Sequence, residues 1–216
     1  MKKNILAFGD SNTWGWNPAN NLVKKTFRWP EEIRWTGVAQ KILGPNYHMI
    51  NHGLNGRTTV WDDPIEPYRC GIDQLIPALD TAAPIDLCII FVGSNDLKAR
   101  YSVTAQDIAL SVGRLIDRAL HEERAYGDGG PKVLLVAPTP LGPIENGVFS
   151  EMFKGNVEKS KGLATYYKAI AKTFGVAYFD AGSVVHASNE DGLHLQADQH
   201  NLLGIALAKE IKRILD

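Results

Sequence analysis

The stretch Ile5-Leu6-Ala7-Phe8-Gly9-Asp10-Ser11 decides how this chain folds and where its site lies. Its four apolar residues do not alternate with polar ones, which is typical of a parallel strand buried on both faces. The strand pattern breaks at Gly9-Asp10, and the hydroxyl of Ser11 follows at once. Because open α/β sheets bind ligands at the carboxyl ends of their strands, Ser11 lies at a candidate site. A helix N-cap is the alternative role for this serine, and the two roles are compatible.

Strand and helix patterns alternate along the whole chain. The predicted strands are Ile5–Phe8, His48–Asn51, Leu87–Val92, Val133–Ala137 and Ala177–Phe179. The predicted helices are Arg34–Leu43, Ile72–Leu79, Ala105–Glu123, Val157–Phe174 and Gln199–Leu215. This order predicts an α/β fold, a three-layer α/β/α sandwich around a five-stranded parallel sheet. With no linker or internal repeat, residues 1–216 are expected to form a single domain.

Composition excludes several classes of function. Of the 216 residues 44% are hydrophobic and 22% charged, as in an ordinary globular domain. A net charge of -1 gives no reason to expect nucleic acid or an anionic membrane as a partner. The two cysteines, Cys70 and Cys88, do not suggest a disulfide framework. The first apolar stretch is too short for a signal peptide and none could span a bilayer, so a cytoplasmic location is expected.

A carboxylate and an imidazole lie three residues apart in Asp191-Gly192-Leu193-His194. A serine hydroxyl is a weak nucleophile unless a base lies within hydrogen-bond distance, and an aspartate commonly orients that base. Ser11, His194 and Asp191 therefore suggest a nucleophilic hydrolase. Taken alone, the segment 191–194 favours an ordinary Asp-Gly turn that carries a surface histidine. The chain has no Gly-x-Ser-x-Gly elbow of the usual α/β-hydrolase kind.

Two further segments follow predicted strands at the same sheet edge. Gly56 lies within 53–59 after the second strand, and Asn95 lies within Gly93-Ser94-Asn95-Asp96 after the third. Ester hydrolysis develops negative charge on the carbonyl oxygen, which needs donors already in place. The N–H groups of Ser11 and Gly56 and the Asn95 amide are candidates for this oxyanion hole. Turn glycines and an Asn-Asp helix cap are the alternative interpretation.

Residues 14–35 hold four of the five tryptophans: Trp14, Trp16, Trp29 and Trp35. They are candidates for the wall of an apolar pocket, for a subunit contact, or for closing the core over one end of the sheet. Trp16 is nearest in sequence to Ser11 and is the candidate substrate-binding residue.

The four segments around Ser11, Gly56, Asn95 and His194 resemble, in order, the four blocks of the SGNH (GDSL-type) hydrolase family. The resemblance implies a flavodoxin-like SGNH hydrolase fold without a cofactor. It implies that Ser11 is the nucleophile, His194 the base and then the acid, and Asp191 its orienter. It also implies an oxyanion hole formed by Ser11, Gly56 and Asn95.

Several motifs are most similar to the bacterial arylesterase and acyltransferase branch of this family. They are Gly9-Asp10-Ser11-Asn12-Thr13-Trp14-Gly15-Trp16, Arg34-Trp35-Thr36-Gly37 and Phe179-Asp180-Ala181-Gly182-Ser183. The resemblance implies short-chain aryl or acetyl esters as substrates, and assembly into homo-oligomers. Asn12 departs from the leucine that the family name expects, and Leu195-Gln196 replaces a common proline after His194. Neither departure removes a catalytic atom.

The predicted function is hydrolysis of small-molecule carboxylic esters through an acyl-serine intermediate. The alternatives are an acyltransferase or perhydrolase, a carbohydrate acetyl esterase with the same triad, and a non-catalytic module that binds a small ligand. The long loops 17–33 and 142–156 support the expected homo-oligomer.

Metal binding is not expected. Asp191, His194, Asp198 and His200 are metal ligands by residue type alone. The family resemblance already accounts for the first two. The pair Asp62-Asp63 is interpreted as a turn or loop anchor rather than as a cation site.

Overall fold

The computed structural model describes residues 2–19, 28–121, 130–144 and 149–216. Five strands form one sheet: β1 (Lys3–Gly9), β2 (Tyr47–Gly53), β3 (Leu87–Phe91), β4 (Lys132–Ala137) and β5 (Ala177–Asp180). All neighbouring strands are parallel, in the order β2-β1-β3-β4-β5. This is the flavodoxin-like order, in which β2 lies on one side of β1, and β3, β4 and β5 follow in turn on the other side. The predicted fold class is confirmed.

In the described part of the chain, seven α-helices pack around this sheet. They are α1 (Ser11–Trp14), α2 (Trp35–Leu43), α3 (Gly71–Ala82), α4 (Ala105–Leu120), α5 (Val157–Lys161), α6 (Leu163–Phe174) and α7 (Ala197–Leu215). Helices α3, α4 and α6 share a core with the side chains of Leu6 and Phe8 on one face. Helices α2 and α7 share a second core with Ile5 and Ala7 on the other face. Successive residues of a strand point to opposite faces, so β1 must be apolar throughout.

Three helix predictions differ from the structure. The helix predicted over Val157–Phe174 is divided into α5 and α6 at Gly162, where a helical glycine costs about 1 kcal/mol relative to alanine. The short α1 was not among the predicted helices, because four residues are too few to show helical periodicity. A helix N-cap was considered at Ser11, but the N-cap is Asp10 and Ser11 is the first residue of α1. The helix predicted to reach Glu123 ends at Leu120, and residues 122–129 lie outside the described part.

Register aligns the carboxyl ends of three neighbouring strands, β2, β1 and β3. Gly9 of β1 pairs with Gly53 of β2 on one side and with Phe91 of β3 on the other. The segments that follow these three residues therefore all emerge at the same edge of the sheet. Ser11, Gly56 and Asn95 all follow within four positions. Within the described ranges, no helix has both the length and the apolar character that crossing a membrane requires.

Candidate active site

Ser11 begins α1 directly above the end of β1. The carboxylate of Asp10 caps this helix by accepting the N–H of Asn12 at 3.0 Å. Helix α1 passes so close to β2 that a Cβ atom on Gly53 would lie 2.1 Å from the backbone nitrogen of Trp14. A glycine at position 53 is therefore needed for α1 to sit on the strand ends. This packing fixes the direction in which Ser11 leaves the sheet.

Asp191 and His194 share one tight turn before α7. One carboxylate oxygen of Asp191 accepts the N–H groups of Leu193 and His194, both at 2.9 Å. The other lies 2.6 Å from Nδ1 of His194, which places the proton of the neutral ring on that nitrogen. Burial alone would raise the pKa of Asp191, but the hydrogen bonds that its carboxylate accepts from the His194 ring and from the N–H groups of His194 and Leu193 hold it below its usual value. The carboxylate therefore stays ionised and orients the ring.

The two ends of the chain meet at this edge. Nε2 of His194 lies 2.8 Å from Oγ of Ser11, within hydrogen-bond distance. With its proton on Nδ1, the ring accepts the serine proton at Nε2. All three side chains are at most 9% exposed: Ser11, Asp191 and His194. The arrangement is geometrically that of a serine, a base and an orienting carboxylate.

The two other candidate oxyanion-hole residues, Gly56 and Asn95, lie in the same pocket lining as Ser11. Gly56 has a backbone φ of +76°, which residues with a side chain rarely adopt, so glycine suits the position. Nδ2 of Asn95 donates to the carbonyl of Arg57 at 3.1 Å, which leaves its second amide hydrogen for another acceptor. Both residues line the same pocket as Ser11. In the described ranges, the N–H groups of Ser11 and Gly56 have no acceptor.

Two carboxylates are buried beneath the site. Asp10 and Asp96 are each 1% exposed. Burial raises the pKa of Asp10, against the hydrogen bond from Asn12. Burial also raises the pKa of Asp96 to about 6, although its carboxylate accepts the N–H of Thr59 at 3.0 Å and also its hydroxyl. Asp96 thus ties the end of β3 to the segment after Gly56.

Arg57 is a buried cation that joins the strand ends. Its guanidinium donates to the carbonyl of Gly9 at 2.7 Å and to the carbonyl of His52 at 2.5 Å. It also lies over the ring of Phe8, 4.0 Å from the centroid. Burial lowers the pKa of Arg57 to about 9, so the side chain remains charged at neutral pH. One side chain therefore fixes β1 and β2 where Ser11 and Gly56 leave them.

A pocket of about 430 Å³ opens over Ser11 and His194. Its apolar side chains are Trp16, Ile65, Phe149, Met152, Phe153 and Leu193. The ring of Trp16 stacks on the His194 imidazole with centroids 5.3 Å apart, and the ring of Phe149 contacts it edge-on at 5.6 Å. The imidazole is thus held between two aromatic rings. The volume lies within the usual range for a small-molecule site, about 300–1,000 Å³.

One wall of the pocket carries a buried ion-pair cluster. Asp63 accepts Nζ of Lys98 at 2.9 Å and the guanidinium of Arg100 at 2.8 Å. The side chains of Asp63 and Lys98 are 0% and 2% exposed. Burial would raise the pKa of Asp63, but Lys98 and the N–H groups of Ile65 and Glu66 outweigh it and hold the pKa below its usual value. Asp63 is thus the loop anchor of the pair Asp62-Asp63, and Asp62 is exposed.

Three of the tryptophans have different surroundings in the structure. Trp16 lies in the pocket wall. Trp35 is fully buried and packs against Phe91 in the core. The indole N–H of Trp29 donates to the carbonyl of Leu195 at 3.3 Å. Much of loop 17–33, and residues 145–148 of loop 142–156, lie outside the described residues.

The four candidate metal ligands have protein partners. Asp191 and His194 bind each other. The carboxylate of Asp198 accepts the side-chain amide of Gln199 at 2.9 Å. Nδ1 of His200 accepts the N–H at the start of α2, and burial lowers the pKa of His200 to about 3, so the ring is neutral.

Sequence reasoning missed three parts of the site. The aromatic spacing of Phe149 and Phe153 in the loop after β4 is a helical i, i+4 pattern that would have indicated a packed turn. Arg57 lies within the segment 53–59, but neither Arg57 nor Lys98 was predicted to be part of the site. The partners of these two cations are distant in sequence, and no local pattern reveals them.

The chain is similar to known proteins over almost its whole length. The model of the GDSL-like lipase/acylhydrolase family matches residues 7–202. No curated protein matches the sequence. The native aryl esterase of M. smegmatis is 40% identical, with a TM-score of 0.94 over 99% of this chain and 100% of that one. A carbohydrate acetylesterase from Sinorhizobium meliloti is 41% identical, with a TM-score of 0.94 over 99% and 100% of the two chains. A further carbohydrate acetylesterase family member from Sinorhizobium meliloti is 36% identical, with a TM-score of 0.91 over 99% of both. The family model spans most of the chain and these structures match almost all of it, so the chain belongs to the GDSL-like lipase/acylhydrolase family.

Proposed function

We propose that this protein is a serine esterase that hydrolyses short-chain aryl or acetyl esters through an acyl-serine intermediate. The observation that carries the proposal is the continuous chain of hydrogen bonds from Asp191 through His194 to Ser11, which ends in an apolar pocket. Family membership and the names of the similar structures, an aryl esterase and a carbohydrate acetylesterase, support the same chemistry.

The first half of the reaction acylates Ser11. Its Oγ attacks the ester carbonyl as Nε2 of His194 takes the serine proton. The ionised carboxylate of Asp191 holds the Nδ1 proton and stabilises the imidazolium that forms. His194 then gives the proton at Nε2 to the leaving alcohol, which departs and leaves an acyl-serine.

Charge on the carbonyl oxygen is stabilised by three donors. The N–H groups of Ser11 and Gly56 have no acceptor among the described residues, and Asn95 has one amide hydrogen to spare. All three residues line the pocket. Preorganised donors of this kind cost no reorganisation when the charge develops, so they lower the barrier directly.

The aromatic rings around His194 assist the same step. A cation over the face of a tryptophan is stabilised by about 0.5–2 kcal/mol, depending on its exposure. Trp16 stacks on a ring that becomes a cation only during the reaction. Its contribution therefore favours the transition state over the ground state.

In the second half, water enters and His194 acts as the base again. Water adds to the acyl carbonyl, the acid leaves, and Ser11 regains its proton. Because the side chains around Ser11 are largely apolar, an alcohol is a competing acceptor, and acyl transfer is the second candidate function. The partition between acid and new ester, measured with added alcohol, distinguishes the two.

Ser11→Ala tests the proposal. The variant should fold as wild type does, lose nearly all turnover of an aryl acetate, and no longer react with a fluorophosphonate probe. Ser183→Ala, at an exposed serine, is the matched control and should retain both properties. Substantial activity in Ser11→Ala would overturn the mechanism. A wild-type serine that does not react would favour a non-catalytic ligand-binding module.

Three broader expectations complete the proposal. We propose a single domain, because the family model extends over residues 7–202. We propose a cytoplasmic location, with which the unpaired Cys70 and Cys88 are consistent. A homo-oligomer is supported by Ile65 and Tyr68, which are 71% and 84% exposed on the segment that forms the pocket wall. A monomer mass by light scattering would contradict the last of these.

A further inference from the structure

Asn12 connects the element that carries Ser11 to the loop that carries His194. Its side chain is buried, 3% exposed, on the second residue of α1. Nδ2 donates to the carbonyl of Leu193 at 3.3 Å, and Oδ1 accepts the N–H of Leu195 at 3.1 Å. These two peptide groups flank His194. We call this pair of hydrogen bonds the Asn12 clamp.

The other backbone bonds of the loop have different origins. Asp191, which belongs to the loop, accepts the N–H groups of Leu193 and His194. The carbonyl of His194 accepts the N–H of Ser188 at 2.8 Å, from residues just before the turn. These bonds determine the internal shape of the loop. They do not determine its distance from Ser11.

The Asn12 clamp ties the loop directly to α1 on both sides of His194, and the indole N–H of Trp29 adds a bond to the carbonyl of Leu195. Because adjacent Cα atoms are only about 3.8 Å apart, fixing the side chain of Asn12 also restricts the position of Ser11. A planar amide that donates on one edge and accepts on the other fixes both separation and orientation. The carboxylate of Asp10 in turn holds the N–H of Asn12, which leaves α1 little freedom to rotate.

We propose that Asn12 is a positioning residue, which holds Nε2 of His194 at hydrogen-bond distance from Oγ of Ser11. The inference rests on the proposed serine-esterase mechanism and assigns to this residue no contact with substrate. A misplacement of about 1 Å between reacting groups can cost about 100-fold in rate. Loss of the clamp should therefore slow acylation without much effect on substrate binding.

Three substitutions remove different parts of the clamp. Asn12→Ala removes both bonds. Asn12→Asp keeps the shape and the acceptor but sets a carboxylate oxygen against the carbonyl of Leu193. Asn12→Leu replaces the amide with an apolar side chain. Thr13→Val is the matched control on the same helix, because the Thr13 hydroxyl is buried and has no hydrogen-bond partner among the described residues.

The readouts separate positioning from stability. Folded fraction is measured by circular dichroism, and kcat, KM and the rate of fluorophosphonate labelling are measured on folded protein well below the unfolding transition. We expect kcat and the labelling rate to fall together by about 10- to 100-fold in each Asn12 variant, with KM nearly unchanged. Thr13→Val should stay close to wild type. A purely structural role would lower the unfolding temperature and leave both rates per folded molecule intact.

The possible outcomes distinguish a failure of this inference from a failure of the proposed function. If the folded Asn12 variants keep wild-type kcat and labelling rates, the inference is wrong and the esterase mechanism stands. If Asn12→Ala does not fold, Asn12→Asp and Asn12→Leu give the same comparison. If wild type itself neither labels nor turns over an aryl ester, the proposed function fails instead.

Discussion

Asp96 makes the stability of this protein depend on pH in a direction opposite to that of a paired carboxylate. It is 1% exposed, and burial raises its pKa from 3.8 to about 6, despite the hydrogen bonds from Thr59. Below the lower value, the carboxyl group is protonated in both the folded and the unfolded chain. Between the two values, the folded protein binds the proton more tightly than the unfolded chain does. Stability is therefore lost as pH rises through this window, and the loss is complete above the folded pKa.

The size of the effect follows from the same two values. Each pKa unit corresponds to about 1.4 kcal/mol, so a rise from 3.8 to about 6 is worth about 3 kcal/mol. Asp96→Asn does not titrate, and its Oδ1 can still accept the N–H of Thr59. The unfolding free energy of wild type minus that of Asp96→Asn should fall by about 3 kcal/mol between about pH 3 and about pH 7.

Urea unfolding followed by tryptophan fluorescence across that pH range measures this difference. Taking the difference removes the titration of all other groups, provided that they are unaffected by the substitution. Asp80→Asn, which removes an exposed carboxylate, controls for the change in net charge. A difference that is flat with pH, or that grows as pH rises, would refute the reasoning.

Three further predictions concern the pocket and its wall. Asn95→Ala should lower kcat by about 10²–10³ with a smaller change in KM, because it removes a donor from the developing oxyanion; a much smaller loss in steady-state assays would move that role elsewhere. Lys98→Met leaves the fully buried Asp63 paired mainly with Arg100 and should cost about 3 kcal/mol of stability in urea unfolding at neutral pH; an unchanged midpoint would contradict this. Trp16→Ala enlarges the pocket and should extend activity to longer acyl chains in a panel of aryl esters; the same chain-length profile as wild type would rule out Trp16 as a pocket wall.

Much of the fold could be predicted from local pattern. The apolar runs at β1, β3 and β4 are continuous because both faces of the sheet are covered, and alternation with helices implies parallel pairing. Because ligands bind at the carboxyl edge of such sheets, the sequence alone predicts that Ser11, Gly56 and Asn95 lie close together there. Element boundaries do not follow from local pattern, since a strand extends as far as its neighbours can pair with it.

The parts that could not be predicted depend on partners distant in the chain. Lys98 and Asp63 are 35 positions apart, and Asn12 lies 181 and 183 positions from the two peptide groups that it binds. No periodicity encodes such a pair. From sequence, Asn12 looked like a departure from the leucine of the family name that affects no catalytic atom. Its significance is visible only once the first and last thirds of the chain meet.

Strand register alone does not build this site. Neighbouring strands lie about 4.8 Å apart, and two to four residues of loop beyond each strand end can reach several ångströms in any direction. Proton transfer and oxyanion binding tolerate only a few tenths of an ångström around hydrogen-bond distance. Hydrogen bonds between buried groups reduce the range of positions open to the loops to the range that the chemistry tolerates. Asn95 and Asp96 hold the segment after Gly56, Arg57 holds the end of β1, and the Asn12 clamp holds the histidine loop.

These cross-links use buried polar groups, which are costly when unpaired. Removing one member therefore leaves its partners unsatisfied and shifts the geometry at the same time. Substitutions in the network should change stability and kcat together, whereas Ser11→Ala should change kcat alone. The ratio of these two effects, measured residue by residue, distinguishes the groups that react from the groups that place them.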